Sequence, residues 1–369
     1  MSLISPQLQE KLVNFALALV DQQQARVVVP PMQSAPGYWF GGGNLIEDED
    51  RTLLLVGRYR NAGDSRTGLA AGARGWELAI FRSSDRGQSF EKMLRFDKSD
   101  LDVGQCSVLS IEGSALHRTA DGYELFVSTE KDQIGYPTGF EQHLKPDTGV
   151  WTIERLRSGS LDGLNQAPRE TILSSSDPRW IHVKDPFLYH TAGGDLVLLF
   201  CSHPYCWTSS NAGYAVQRSG ESGFEQPVFD FFPRGFTWDV AMTRGTCVLD
   251  VPRVGAFRDL SVALVFYDGG ECIRNHAEHA AAVSRSRGYS CEELGGAAFV
   301  VDGDFDSIEK LSIHRPLFVS PHGTGCSRYV DVLATAEGYY AAWQQSQADG
   351  SQPLVLHFLS NSAAAELLE

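Results

Sequence analysis

The sequence predicts an all-β fold, a five-bladed β-propeller with a short N-terminal helix. Buried apolar strands recur five times along the chain, at intervals of about 70 residues. Each of them follows a shorter strand-like segment and a turn, and each precedes a third strand-like segment that ends in a serine-containing turn. Repeated units of several short antiparallel strands are typical of propellers, in which each unit forms one blade.

The five buried strands define the blades. They begin near Thr52, Tyr123, Leu196, Leu260 and Tyr339. In order they read TLLLVGRYR, YELFVSTEK, LVLLFCSHP, LSVALVFYDGG and YYAAWQQSQ. A sixth run of this kind is not found, so a six-bladed propeller is the weaker alternative.

The segment before each buried strand is expected to form the first strand of its blade. In the third blade this segment carries Lys184-Asp185-Pro186 at the head of an otherwise apolar strand. Charged side chains are rarely buried unless they are paired or functional. The five first-strand segments are 43–46, 111–116, 183–188, 238–242 and 329–333. The five third-strand segments are ELAIFRSSDRG, WTIERLRSGS, GYAVQRSGESG, AAAVSRSRGYS and LVLHFLSNS.

The N-terminal segment has the spacing of an amphipathic helix rather than of a strand. Its apolar positions are Leu8, Leu12, Phe15 and Leu19. Ser5 is a suitable N-cap, so we predict a helix over residues 5–24 that packs on the outside of the propeller. Residues 1–25 are accordingly assigned to an N-terminal helix, and residues 26–369 to a single β-propeller domain.

Composition and charge exclude several classes of partner. The chain of 369 residues has a net charge of −15 and no basic stripe of the kind that binds nucleic acid. Its longest apolar stretches are far shorter than the roughly 20 residues that span a bilayer. Residues 1–20 lack the pattern of a secretory signal, and seven scattered cysteines favour reduced thiols. We therefore expect a cytoplasmic protein with no nucleic-acid or membrane partner, and its oligomeric state stays open.

The first strands of a propeller line its central channel, so equivalent residues of the five blades point at one axis. Aligning the five segments brings together Asn44, Glu112, Asp185, Asp239 and Asp331. Four of these residues are carboxylates, and crowding like charges raises the pKa of at least one of them. The sequence therefore predicts an active site in the channel. The alternatives are a structural cluster or a channel that holds a structural cation or water; no other cofactor and no metal site are predicted.

The second strands end on the same face of the propeller, and these ends are polar. Arg58 and Arg60 alternate with Tyr59, which sends both guanidinium groups to one side. Guanidinium groups suit carboxylates, phosphates or sugar hydroxyls, and pairing with the channel carboxylates is an equally favoured alternative. The predicted substrate-binding residues are Asn44, Arg58, Arg60, Trp76, His182, His203, Tyr267, Arg328 and Asp331.

One turn resembles a known propeller element. Residues 83–90, Ser-Ser-Asp-Arg-Gly-Gln-Ser-Phe, fit the pattern S-x-D-x-G-x-[ST]-[FW] at the end of a third strand. This pattern is similar to the Asp-box of sialidases and other propellers. The resemblance implies a structural role, in which Asp85 accepts backbone hydrogen bonds and Phe90 packs between strands.

The whole chain resembles the five-bladed propeller glycoside hydrolases, the clan of arabinofuranosidases, xylosidases and invertases. The resemblance rests on the blade period, on Lys184-Asp185-Pro186 and on Glu112-Gly113-Ser114-Ala115-Leu116, which are similar to the channel motifs of that clan. In the clan, the first blade carries an aspartate base, the second an auxiliary aspartate and the third a glutamate acid. Here the same blades offer Asn44, Glu112 and Asp185, so the roles do not transfer blade by blade.

The resulting hypothesis is a glycoside hydrolase that acts on oligosaccharides or small glycosides through a carboxylate pair in the funnel. Hydrolysis needs one protonated carboxyl group and one carboxylate. We expect Glu112 to be the acid and Asp185 or Asp239 to be the base or nucleophile. One alternative is a non-catalytic carbohydrate-binding propeller, whose mark would be carboxylates fully paired with Arg58, Arg60 and Lys184. Another is a phosphorylase or a lyase on the same scaffold.

Overall fold

The computed structural model describes residues 2–60, 74–271 and 293–369. Within these ranges the strands form five antiparallel sheets, one for each predicted blade. The all-β, five-bladed propeller prediction is therefore confirmed.

The first three blades follow one another along the chain. Blade 1 contains β2 (Trp39–Gly41), β3 (Leu45–Glu47), β4 (Leu53–Arg60), β5 (Glu77–Ser83) and β6 (Glu91–Asp97). Blade 2 contains β7 (Val108–Thr119), β8 (Gly122–Lys131), β9 (Val150–Ser158) and β10 (Glu170–Leu173). Blade 3 contains β11 (His182–His190), β12 (Leu196–His203), β13 (Asn211–Gln217) and β14 (Val228–Phe232).

The last blade joins the two ends of the chain. Blade 4 contains β15 (Met242–Asp250), β16 (Val262–Gly270), β17 (Leu294–Val301) and β18 (Glu309–Lys310). Blade 5 contains β19 (Ser327–Ala334), β20 (Gly338–Gln345), β21 (Leu354–Ser360) and, from the N-terminal region, β1 (Arg26–Val29). Because β1 pairs with β21, the ring is closed by hydrogen bonds between the two ends of the sequence.

All five predicted buried runs form the second strands of their blades, β4, β8, β12, β16 and β20. The first strand of blade 4 was predicted wrongly. Its first strand begins at Met242, where segment 238–242 ends, and pairs with β16 as far as Asp250. Its third strand is β17, whereas the predicted third-strand segment, AAAVSRSRGYS, lies outside the described residues. Trp238 is buried although it lies in a loop, and this gives segment 238–242 the alternating apolar pattern of a strand. Sequence periodicity cannot distinguish such a loop from a strand.

The first strands of blades 2, 3 and 5 carry a bulge at the same height. The pairing shifts after Ile111–Thr129, after Lys184–Cys201 and after Arg328–Gln344. In blade 4 the shift follows Gly245–Tyr267. In blade 1 the first strand is interrupted between Gly41 and Leu45. A bulge bends a strand and redirects its side chains, so all five blades change direction around the axis at one level.

The two described α-helices pack together on the outside of blades 4 and 5. Helix α1 (Pro6–Leu19) starts at the predicted N-cap, Ser5, and ends five residues before the predicted boundary. Helix α2 (Asn361–Leu368) follows β21 directly. Leu12 and Phe15 are fully buried in a cluster with strands of both blades, and the Phe15 ring meets Tyr339 edge-on at 5.6 Å.

The turn over residues 83–90 is held by its own side chains. The Asp85 carboxylate accepts hydrogen bonds from the Ser89 backbone N–H, at 2.9 Å, and from the Ser89 hydroxyl, at 2.6 Å. Ser83 Oγ accepts from the Gly87 N–H and donates to Asp85. These bonds satisfy two backbone N–H groups of the turn, and Arg26 from outside the turn donates to the Gly87 and Gln88 carbonyls.

In the described ranges no helix is long and apolar enough to cross a membrane. Five of the seven cysteines lie in these ranges, and none of the five forms a disulfide.

Replacing Leu12 by alanine tests the packing of helix α1. The side chain is fully buried, so we expect a loss of about 2–5 kcal/mol in the free energy of unfolding, measured by urea denaturation. Leu17 in the same helix is 41% exposed, and Leu17→Ala serves as the control with a loss under about 0.5 kcal/mol. Equal losses in the two variants would contradict the packing described here.

Candidate functional site

A narrow cavity lies on the propeller axis at the level of the bulges. It is lined by Gly42, Gly43, Asn44, Gly113, Ser114, Asp185, Pro186, Phe187, Gly245, Thr246 and Tyr329. Asp185 and Tyr329 both have φ of 53°, and Gly42 has φ of 72°. A left-handed conformation is uncommon for a bulky residue such as tyrosine, and such conformations concentrate at functional sites. The bulges thus aim one acidic and one aromatic side chain at the axis.

Asp185 is the carboxylate that lines the cavity. Its Oδ1 accepts a hydrogen bond from the Gly113 N–H at 3.0 Å, and its Oδ2 accepts one from the Cys201 thiol at 3.3 Å. Two cations lie slightly farther from Oδ2, Arg244 at 3.5 Å and Lys184 at 3.8 Å. A Cβ at position 113 would come within 2.6 Å of Oδ1, so only glycine lets blade 2 approach this carboxylate.

Glu112 is held by two arginines of the neighbouring blade. Arg58 donates from Nε at 2.8 Å and from a terminal nitrogen at 2.5 Å to the same oxygen, Oε2. Arg60 lies 3.9 Å from the other oxygen, Oε1. Burial alone would raise the pKa of Glu112, but the charges of Arg58, Lys184 and Arg60 outweigh it and hold the pKa well below the ordinary value. Glu112 therefore stays ionised at neutral pH.

Arg244 connects three carboxylates on the other side of the cavity. It donates to Asp268 at 2.7 and 3.1 Å and to Glu293 at 2.7 Å, and it faces Asp185. Arg328 forms a second ion pair with Glu293. Burial raises the pKa of Asp268 to about 6, because it outweighs the opposing charge of Arg244. The ions on this side form one connected network.

Aromatic rings separate and cover the arginines. The Tyr329 ring lies 4.2 Å from Arg244 and 5.4 Å from both Arg58 and Arg328. The Trp39 ring lies 4.5 Å from Arg60 and 4.2 Å from Arg328. Cation–π contacts of this length stabilise desolvated guanidinium groups. They therefore allow four arginines to be buried close together, Arg58, Arg60, Arg244 and Arg328.

His182 and His203 lie together at the top of blade 3. They face each other across β11 and β12 and are buried beneath Trp207, with ring centroids 4.3 and 4.5 Å from its ring. Burial and the charges of Lys184 and Lys145 lower the pKa of His182 to about 3. Burial also holds the pKa of His203 well below its ordinary value. Both rings are therefore neutral at physiological pH and do not act as acids there.

Asn44 and Asp331 connect neighbouring blades. Asn44 donates to the Leu116 carbonyl at 3.0 Å and accepts from the Leu116 N–H at 2.8 Å. Asp331 accepts from the Leu45 N–H at 2.7 Å. Burial raises the pKa of Asp331 to about 7. Both side chains therefore link neighbouring blades through hydrogen bonds to the backbone. The substrate contact expected of them stays a prediction.

Asp239 and Tyr267 are not brought to the cavity. Asp239 is fully buried in the loop before β15, where Lys310 donates to it at 2.5 Å and the Tyr267 hydroxyl at 3.1 Å. Tyr267 packs between Trp238 and Phe232. The predicted equivalence of Asp239 and Asp185 is wrong, because the first strand of blade 4 starts later than the alignment assumed.

Trp76 lies beside the cavity region in the loop before β5. It is half-buried and packs against the core of blade 1. Its neighbour Arg74 forms a buried ion pair with Glu130 at 2.5 Å. The structure therefore adds a further buried ion pair at this edge of the site.

The predicted site omitted Arg244 and Glu293. Arg244 could have been found from the corrected alignment, in which Lys184-Asp185, Arg244-Gly245 and Arg328-Tyr329 occupy the same place in blades 3, 4 and 5. Glu293 directly precedes β17 and has no comparable sequence signal. Across the three described ranges, no group of three or more His, Cys, Asp or Glu side chains is placed to hold a metal ion.

Comparison with known proteins identifies similar folds. No family model matches the sequence, and no curated protein matches it either. Among solved structures, a glycoside hydrolase has a TM-score of 0.60 at 11% identity, with 96% of this chain and 95% of that chain covered. An α-L-arabinofuranosidase from Lactobacillus brevis has a TM-score of 0.57 at 9% identity, with coverage of 90% and 91%.

A phosphorylase is similar to the same degree. The β-1,2-mannobiose phosphorylase from Listeria innocua has a TM-score of 0.55 at 12% identity, with 93% of this chain and 96% of that chain covered. At these identities the likeness shows a shared fold and does not fix the reaction. The chain thus has the propeller architecture of proteins named for the cleavage of glycosidic bonds.

Removing Arg58 tests the ion pair with Glu112. We expect Arg58→Met to lose about 3–5 kcal/mol of unfolding free energy at pH 7, because a buried carboxylate loses its main partner. In the wild type the depressed pKa of Glu112 stabilises the fold above the unfolded pKa, and this contribution is lost as the pH falls. In the variant the pKa rises, so the deficit relative to wild type should shrink between pH 7 and pH 5. Urea unfolding at both pH values measures it.

The matched control is Arg82→Met, which breaks a surface pair with Asp50 whose side chains are 44% and 54% exposed. Its loss should stay within about 1 kcal/mol at both pH values. A loss in Arg58→Met no larger than that in Arg82→Met would contradict the described role of the Arg58–Glu112 ion pair.

Asp331→Asn tests a carboxyl whose pKa is raised by burial. The folded protein holds the Asp331 proton up to about pH 7, whereas the unfolded chain releases it near pH 4, so this contribution to stability is lost as the pH rises through 7. The asparagine can still accept the Leu45 N–H. We expect its stability relative to wild type to increase by on the order of 2 kcal/mol between pH 5 and pH 8. A constant difference in urea unfolding across that range would show that the Asp331 pKa is ordinary.

Proposed function

We propose that the protein cleaves the glycosidic bond of an oligosaccharide or small glycoside at the axial cavity. The observation that carries this proposal is the placement of Asp185, a carboxylate aimed at the axis from a left-handed bulge and facing the Glu112 side of blade 2. Both carboxylates are 5% exposed; Asp185 lines the cavity, and Glu112 directly precedes Gly113, which also lines it. The similar folds of named glycoside hydrolases support the same class of reaction.

Glycosidic cleavage needs one carboxyl group that donates a proton to the leaving oxygen and one carboxylate that attacks the anomeric carbon or takes a proton from the attacking water. The environment of Glu112 opposes the proton-donor role expected from the sequence, because Arg58 and Arg60 favour its charged form. We therefore assign the ionised role to Glu112 and proton transfer with the leaving oxygen to Asp185. Glu112 Oε1 lies beyond hydrogen-bond distance from Arg60 and can accept a hydrogen bond from water or a sugar hydroxyl.

The buried cations fit the binding of a polar ligand. Arginine forks bind hydroxyl groups and anions through directional hydrogen bonds. In a cavity with little water, their field also stabilises negative charge that develops on a leaving group. A small carbohydrate is accordingly the proposed ligand, and no nucleic-acid partner is proposed for so acidic a chain.

A second candidate is a propeller that binds carbohydrate without cleaving it. It is favoured by the ion pairing of Glu112 with Arg58 and of Asp185 with Arg244 and Lys184, the pattern expected for such a protein. A propeller that only binds carbohydrate can keep all its carboxylates in ion pairs, whereas an enzyme needs one carboxylate that can take part in the reaction. Asp185 favours the enzyme over the binding propeller, because its cations, Arg244 and Lys184, lie at 3.5 Å or more.

The direct test is turnover of a panel of nitrophenyl glycosides, with and without inorganic phosphate. We expect wild-type turnover, and a fall of about 100- to 10,000-fold in Asp185→Asn on an alkyl glycoside of the sugar that the panel identifies, because its leaving oxygen needs the proton of a positioned carboxyl. A nitrophenolate leaves without a proton, so the fall on the nitrophenyl glycoside should be smaller. Turnover that requires phosphate would identify a phosphorylase, since phosphate then replaces water as the nucleophile.

Two controls sharpen this test. Asp195→Asn changes a surface carboxylate in the blade 3 hairpin and should leave the rate within about twofold of wild type. Asp239→Asn tests the residue that the structure places outside the cavity; it should affect stability more than rate. Absence of turnover in the wild type, together with binding of a glycoside, would favour the binding propeller.

A further inference from the structure

Trp207 has an unusual backbone for its residue type. It lies in the loop after β12 with φ of 54°, in the left-handed region that bulky side chains rarely adopt. The side chain is half-buried, while the neighbouring Cys206 and Thr208 are exposed. Strain of this kind persists only where surrounding contacts fix it, and it concentrates at sites that bind ligands.

Two buried histidines hold the indole in place. His182 and His203 are directly opposite each other on β11 and β12, so their side chains leave the same side of the sheet. Their rings lie 4.3 and 4.5 Å from the Trp207 ring, with interplanar angles of 31° and 35°. The Tyr136 hydroxyl forms a 2.8 Å hydrogen bond with His182 Nε2, which fixes the support. Both histidines thus pack against the indole ring.

The Lys184 ammonium lies beside this platform. Its Nζ is 5.7 Å from the Trp207 ring centroid, 5.5 Å from that of Trp151 and 3.8 Å from Asp185 Oδ2. Lys184 immediately precedes Asp185 in β11. An aromatic ring, an ammonium group and the cavity carboxylate therefore lie within one side-chain length of each other.

Three described tryptophans besides Trp207 lie near these charges. Trp39 is in contact with two arginines, Arg60 and Arg328, which stand over its ring at 4.5 and 4.2 Å. Trp151 is 1% exposed, and Trp76 packs against the core of blade 1. Trp207 combines partial exposure with packing against the two histidines and a position near Lys184.

We propose that Trp207 and Lys184 form a subsite that binds one sugar ring next to Asp185. The apolar C–H face of an aldose ring stacks on the indole, and a ring hydroxyl accepts a hydrogen bond from the Lys184 ammonium. This inference rests on the proposed function, because it places one sugar unit beside the glycosidic bond on which Asp185 acts. Trp207 is a positioning residue that binds and orients the sugar without exchanging a proton.

The test compares Trp207→Gly, Trp207→Phe and wild type on the nitrophenyl glycoside that the wild type cleaves best. Glycine adopts φ of 54° without strain, so Trp207→Gly removes the ring and keeps the backbone. We expect KM to rise at least about tenfold in Trp207→Gly, as for loss of an aromatic anchor, with kcat changed by less than about threefold. Trp207→Phe should restore most of the affinity, because it restores a ring.

Phe236→Ala is the control. Phe236 is 98% exposed, and its removal should leave both KM and kcat unchanged. An unchanged KM in Trp207→Gly, or an equal loss in Trp207→Phe and Trp207→Gly, would overturn the subsite while leaving the proposed function intact. A wild type that neither cleaves nor binds any glycoside of the panel would overturn the proposed function, and the subsite with it.

Discussion

Ion pairs between buried arginines and carboxylates fix the positions of the side chains at the centre of this propeller. Arg58 fixes Glu112, and Arg244 holds Asp268 and Glu293 while facing Asp185. A buried charge is costly unless a partner and hydrogen bonds compensate it. Arg58–Glu112, Arg244–Asp185 and Arg328–Glu293 join different blades, so these contacts both permit charge at the axis and help to set the positions of the blades around it. Loss of one partner should therefore disturb both stability and the site.

The bulges in the first strands explain why charge can reach the axis at all. Side chains of a regular strand alternate between its two faces, and both faces of a blade pack against neighbouring blades. The shift of register after Lys184 and after Arg328 turns the next side chain, Asp185 or Tyr329, out of this alternation and towards the cavity. In blade 1 Gly42 adopts a left-handed conformation, and in blade 2 Gly113 leaves room for the close approach of Asp185.

The sequence was sufficient for the fold because the second strands are continuous apolar runs with a clear period. It was less informative about the site. A one-residue change of register moves a side chain to the other face. The loop around Trp238 has the apolar alternation of a strand, so the sequence alignment placed Asp239 in the channel. The true first strand of blade 4 begins at Met242, and Arg244 on that strand was therefore missed. The charge state of Glu112 depends on Arg58 and Arg60, and such partners across blades cannot be ranked from sequence spacing alone.

A crystal structure of the Asp185→Asn variant, soaked with the glycoside that the wild type turns over best, would locate the bound sugar. We expect a sugar over the axial cavity with its glycosidic oxygen about 3–3.5 Å from the side chain of residue 185. The neighbouring sugar ring should lie against Trp207. A glycoside bound at the outer edge of the blades, with the axial cavity empty, would contradict the assignment of the site to the ion-paired centre of the propeller.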